Sequence, residues 1–160
     1  MRLILPVLLA LASVAPARAQ HAAHADTAAV ERTLELRAAD LRALPHVTVR
    51  AAEHGSTRAA EWSGVPLAVL LARAGVPSGE RLRGPALATY VVVEAADGYR
   101  AVFSLAELDP ALGGRTVLVV DARDGVPLGT GQGPLRLAVP DDRRQSRWVR
   151  QVVRVRVRRG

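Results

Sequence analysis

Arg154, Arg156 and Arg158 alternate with Val153, Val155 and Val157 near the end of the chain, and their spacing is the first that suggests chemistry. On a strand, successive side chains point to opposite faces, so the three guanidiniums would share one face. Such a stripe can hold an anion or an acidic partner protein. The simpler reading is a solvated sheet face whose charges also discourage edge pairing. A second candidate is Gly129-Thr130-Gly131-Gln132-Gly133. Pro134 and a strand pattern follow it, not a helix N-terminus, so it is neither a Rossmann nor a P-loop phosphate cradle. Its glycines suit equally a close backbone approach to a ligand and a flexible turn.

The other reactive residue types form no recognisable set. His21 and His24 fall near the N-terminus, where only a weak surface copper or zinc site is conceivable, and His46 and His54 have no second ligand at a standard metal spacing. No metal site is therefore expected. Serines accompany His54, but no G-x-S-x-G elbow exists to present a nucleophile. Asp97 and Asp124 each precede a glycine and read as turn formers. No pair of carboxylates is placed by spacing for acid–base work.

The elements that must position any site are mostly strands. Val30 to Leu36 alternates as a strand, and Ala38 to Leu44 reads as a short helix stopped by Pro45. Val47 to Ala52 is extended. Pro66 suits a first helical residue, with Leu67, Leu70, Leu71 and Ala74 on one face before Gly75. Tyr90 to Ala95 and Tyr99 to Leu105 flank Asp97-Gly98 as a hairpin. Thr116 to Asp121, Leu135 to Val139 and Trp148 to Val157 complete the strands, with Asp124-Gly125 as a further turn. The expected class is α+β, a mixed and largely β core with short helices, in one domain.

Composition narrows the setting. The chain has 160 residues, 49% of them hydrophobic, with no cysteine. Its 22 basic residues are all arginine and its formal net charge is +7. Met1-Arg2, the apolar run Leu3 to Val14 and Ala17-Arg18-Ala19 form the basic start, greasy core and small-x-small exit of a signal peptide. The run is too short to span a bilayer. Residues 1–19 are thus expected to be removed, residues 20–29 to form a flexible leader, and residues 30–160 to form the domain. Loss of Arg2 and Arg18 lowers the charge from +7 to +5. The protein is expected to be periplasmic or secreted, with no membrane span after cleavage and no disulfide to brace it. Aromatics make up only 3% of the chain, which argues against nucleic-acid stacking.

Several segments, taken in order, match one family. They are Leu41-Arg42-Ala43-Leu44-Pro45, His54-Gly55, Trp62-Ser63-Gly64-Val65-Pro66-Leu67 with Leu70-Leu71 and Ala74-Gly75, and Asp97-Gly98-Tyr99. Asp124-Gly125-Val126-Pro127-Leu128, Gly133-Pro134-Leu135-Arg136-Leu137-Ala138-Val139-Pro140 and Arg147-Trp148-Val149 follow. Over roughly Leu34 to Val157 the chain resembles the molybdopterin-binding domain of the sulfite oxidase family, as a stand-alone exported form. The resemblance implies that family's mixed, largely β fold, a molybdenum–pterin cofactor and two-electron oxygen-atom transfer.

It also implies a cysteine thiolate on the metal, just after the strand Val47–Ala52. Here that stretch reads Ala52-Glu53-His54-Gly55. Neither Glu53 nor His54 supplies comparable sulfur donation. The family's His-Gly-x-Pro segment is Gln132-Gly133-Pro134, one residue shorter, and its lysine before tryptophan is Arg147. The pocket residues the resemblance points to are His54, Arg58, Tyr99, Arg136 and Trp148. His54 and Arg58 would flank the former metal position, Tyr99 and Trp148 would offer stacking faces, and Arg136, with Arg147, would contact a phosphate. The expectation is a domain that binds a pterin-like or other anionic small molecule, molybdopterin among them, or serves a periplasmic redox partner, without standard molybdenum catalysis. Two alternatives stay open: a molybdopterin-dependent oxidoreductase ligated by Glu53 or His54, and a protein-binding module using the arginine-rich strand.

Overall fold

The computed structural model describes residues 31–53 and 55–160. The expected signal peptide and leader, with His21 and His24, lie outside the described residues. The expected α+β class is observed: two antiparallel sheets dominate and the helices are short. One sheet has the order β1 (Arg32–Glu35), β9 (Val152–Arg159), β4 (Thr89–Ala95) and β5 (Arg100–Ser104). The other runs β2 (Val47–Ala52), β3 (Ala59–Pro66), β6 (Leu118–Arg123) and β7 (Val126–Pro127), with β8 (Arg136–Ala138) also paired to β6.

One buried cluster unites the sheets. Val91, Val93, Phe103, Val155 and Val157 enter it from the first; Trp62, Val65, Val119 and Leu137 enter it from the second. The alternation of β9 buries Val155 and Val157 and turns the arginines outward, as the period of two requires. However, β9 is an inner strand, hydrogen-bonded to β1 on one side and β4 on the other. Its arginines therefore do not guard an edge. Arg154 pairs with Glu35 at 2.5 Å and Arg158 with Glu31 at 3.2 Å, while Arg154 and Arg156 both reach Glu94, at 3.4 and 3.2 Å.

The hairpin β4–β5 forms where expected, because Asp97 Oδ1 accepts the Tyr99 N–H at 2.9 Å and Gly98 takes φ +88°. The helix after Pro66 is α2 (Leu67–Arg73), which buries Leu67, Leu70 and Leu71. Pro66 itself is the last residue of β3, not the first of the helix. The helix over Ala38 is α1 (Ala38–Arg42), shorter than its sequence pattern. A further helix, α3 (Leu105–Leu108), starts with a capping box between Ser104 and Glu107. Trp148 to Gln151 is irregular rather than strand: Trp148 closes a 3-10 turn and Gln151 takes φ +47°. His46 bonds Leu44 O at 2.9 Å and Asp121 at 3.2 Å, tying the segment before β2 to β6.

The central β3–β6 contact depends on one glycine. The register shifts between Ser63 and Gly64, and a Cβ on Gly64 would stand 2.2 Å from Val119 O and 2.4 Å from Val120 Cα. Both obstacles are backbone and cannot rotate away. Gly64→Ala is accordingly expected to destabilise the fold by about 2–3 kcal/mol, read as a lowered urea midpoint at unchanged slope. An unaltered midpoint would contradict this account of the bulge.

Candidate functional site

Arg136 opens β8 between Leu135 and Leu137, both fully buried, and is itself only 2% exposed. A strand this deep carries its charge inward with it, so the guanidinium must find partners inside the protein. Two indoles supply part of the answer. Its Cζ lies 4.8 Å from the Trp62 ring centroid and 5.4 Å from that of Trp148, and the two rings meet edge to face at 83°. Trp62 and Trp148 keep their own N–H groups bonded, to Ala51 O at 3.2 Å and Val139 O at 2.9 Å.

Glu53 supplies the counter-charge. Its Oε1 accepts from Arg136 Nη1 at 2.6 Å and its Oε2 from Arg123 Nη1 at 2.8 Å, with Arg150 Nη2 at 3.9 Å. Arg123 also lies over Trp62, at 5.1 Å. Burial alone pushes the Glu53 carboxyl up, but the Arg136 hydrogen bond and the charges of Arg136, Arg123 and Arg150 outweigh it and hold the carboxyl below its ordinary value. Burial and the two neighbouring guanidiniums pull Arg136 down, against the carboxylate of Glu53. Gln132 Oε1 is a second acceptor for Arg136 Nη1. The Arg136 Nε is buried with no partner.

The glycine-rich segment serves this arrangement. Gly133 N–H bonds Gly129 O at 2.9 Å, and a Cβ on Gly133 would meet Leu128 Cβ at 2.6 Å, so the loop folds tightly and delivers Gln132 to Arg136. Its close backbone approach is to Leu128. The Gly133–Pro134 peptide is cis.

Above Arg136 lies a cleft of about 780 Å³. Glu53, Tyr99, Arg136, Trp148 and Arg150 line it, with Arg143 and Arg144 at its rim. The segment from Asp142 to Trp148 is pinned to both sheets: Gln145 Nε2 donates to Ala52 O, and the Tyr99 hydroxyl donates to Ser146 O. Asp142 is taken by Arg147, at 2.7 and 2.8 Å, and by Arg115 at 2.9 Å. Arg143 and Arg144 are exposed and make no ion pair among the described residues.

The structure thus brings together Tyr99, Arg136 and Trp148 of the expected pocket residues. Arg58 does not join them; it is exposed, with its backbone N–H on Ser56 Oγ at 3.1 Å. His54 lies outside the described residues. Trp148 is 6% exposed and packs against Trp62 and Arg136, so it offers little open stacking face, whereas Tyr99 is 49% exposed. Arg147 is committed to Asp142, which raises its pKa, and its Cζ stands 4.5 Å over Phe103. Trp62, Arg143, Arg144 and Arg150 were not among the pocket residues expected from the sequence, and Glu53 was expected only as an alternative metal ligand. The charge string Asp141-Asp142-Arg143-Arg144 was the legible signal for two of them.

A family model described as the oxidoreductase molybdopterin binding domain matches residues 12–159. The chain belongs to that family. A comparison with curated proteins finds no match. The family implies a molybdenum–pterin cofactor, and this chain does not fit its metal. No cysteine exists in the sequence, and the described residues contain no group of three or more His, Cys, Asp or Glu able to hold a metal ion. The carboxylate in the segment where the resemblance places the thiolate is already engaged by two guanidiniums. The arginines suit only an anionic portion of such a ligand.

Because Arg136 is buried and Glu53 is its carboxylate partner, Glu53→Ala is expected to cost about 3–5 kcal/mol at pH 7 in urea unfolding. The contribution of a depressed carboxyl is complete above its unfolded value, near the ordinary 4.5, and is lost as pH falls through the lower folded value. The gap between parent and variant is therefore expected to close only below that ordinary value. A difference under about 1 kcal/mol at pH 7 would show that Arg136 does not depend on Glu53.

Proposed function

We propose that the cleft binds an anionic small molecule of the phosphate-bearing, pterin-like type, and that the domain does so outside the cytoplasm without standard molybdenum catalysis. One observation carries this reading. The two cleft carboxylates with the most arginine contacts, Glu53 and Asp142, are neutralised from within, while Arg143 and Arg144 stand at the rim with no ion pair among the described residues. Exposed guanidiniums facing a cleft attract phosphate through charge-assisted, often bidentate bonds. Tyr99 adds a half-open ring beside them. Such a domain would hold its ligand, or serve a periplasmic redox partner as an accessory, without turning the ligand over.

Ligation of molybdenum by Glu53 would require breaking its bonds to Arg136 and Arg123, which disfavours an oxidoreductase built on that residue. The arginines of β9 are paired with glutamates, which disfavours an acidic-partner stripe. Export rests on the pattern of residues 1–19. No described helix is long and apolar enough to cross a membrane.

Protein purified from its own cells is expected to begin at Gln20 by intact mass and to carry no stoichiometric molybdenum by elemental analysis. Stoichiometric metal with released pterin would overturn the loss of catalysis. By calorimetric titration, Arg143→Ala with Arg144→Ala is expected to weaken inorganic phosphate binding roughly tenfold, about 1.4 kcal/mol. Equal affinity in parent and double variant would sink the assignment of the cleft.

A further inference from the structure

Glu53 is an awkward residue to find in an anion-binding cleft. Of the three acidic side chains that line it, Asp142 is turned to Arg115 and Arg147, and Asp97 accepts the Tyr99 backbone N–H. Glu53 instead sits on the buried guanidinium of the floor. Its two oxygens, 2.6 Å from Arg136 and 2.8 Å from Arg123, bridge two guanidiniums as a bound oxyanion would. Three arginines surround this single negative charge, counting Arg150 at 3.9 Å. Arg123 also pairs with Asp124 at 3.5 Å, so locally one positive charge is left over. The Arg136 Nε still has no acceptor, although the residue is only 2% exposed and lines the cleft.

We propose that Glu53 is an intramolecular competitor for the ligand: its carboxylate holds the oxyanion position on Arg136 and Arg123, and a phosphate-type dianion takes that position by displacing it. This deepens, and rests on, the reading of the cleft as an anion site. Displacement by a monoanion exchanges one single charge for another and gains nothing. A dianion matches the local surplus and brings further acceptor oxygens for donors such as Arg136 Nε. Glu53 thereby makes the floor selective for dianions over carboxylates. The displaced side chain has a partner at the rim in Arg150, whose own side chain is 56% exposed.

The test is calorimetric titration of the full mature chain with inorganic phosphate, glycerol 3-phosphate and acetate at pH 8. The parent protein is expected to prefer both phosphates to acetate, with the pair separating a free ion from an ester. Glu53→Gln keeps an acceptor oxygen and removes the charge. It is expected to bind phosphate at least tenfold tighter and to admit acetate, with phosphate raising its melting temperature more than the parent's. Should Glu53→Gln fail to fold, Glu53→Asp withdraws the carboxylate by one methylene and is expected to shift phosphate affinity in the same direction. Phosphate binding no tighter in a folded Glu53 variant overturns the competition. If the parent then still depends on Arg143 and Arg144, the cleft assignment survives alone. If only the variant binds, Glu53 blocks the floor outright, and displacement by a dianion is overturned. If neither binds, both fall.

Discussion

A positive charge that cannot leave the interior organises this molecule. Arg136 lies on a strand whose neighbours are fully buried, so its guanidinium is taken out of water by the pairing of β8 with β6. Desolvating an ion costs several kcal/mol, and the cost is met only where partners are close and well placed. Two indole faces, one carboxylate and one amide oxygen are brought to it, from β3, the segment after β2, the loop before β8 and the turn before β9. Glu53 and Trp62 come from the first half of the chain, Gln132 and Trp148 from the second. Their convergence is what the two-sheet arrangement achieves, and it places the charge at the floor of the cleft.

The cleft walls follow from the same logic of satisfied charge. Arg147 and Arg115 draw Asp142 away from the opening, and Arg147 is further held over Phe103. Gln145 and Ser146 then bond to Ala52 and Tyr99, so one loop fastens the end of β2 to the start of the β5 hairpin arm. A loop fixed at so many points has little freedom to collapse into the cleft. Its next residues, Arg143 and Arg144, are the ones left facing water.

Much of the fold was legible from periodicity. The alternation of β9, the Asp97-Gly98 hairpin and the apolar face of α2 are local patterns, and each produced the expected element. The helix α3 carried its own signal in Ser104-Leu105-Ala106-Glu107, the spacing of a capping box. β3 is harder to read, because the glycine that permits its bulge breaks the alternation after Trp62. The pocket was only partly legible. Arg136 and Tyr99 sit in recognisable words, but the partnership of Glu53 with Arg136 spans 83 positions and leaves no local trace. Arg58 is near Glu53 in sequence but is exposed and does not line the cleft.

An internal ion pair and a metal ligand set differ in one respect that matters for how a domain of this family can work. A set of donors arranged for a metal leaves like charges and unmet lone pairs until the metal arrives, so binding and folding are coupled. Here the carboxylate is already neutralised by Arg136 and Arg123, and the buried polar atoms of the cleft left without a partner are Arg136 Nε and Gln145 Oε1. A ligand reaching the floor must exchange an existing bond for a new one. Such a site trades affinity for selectivity, since only a group that satisfies Arg136 better than Glu53 does can hold it. That property suits the recognition of an anionic molecule proposed for the cleft.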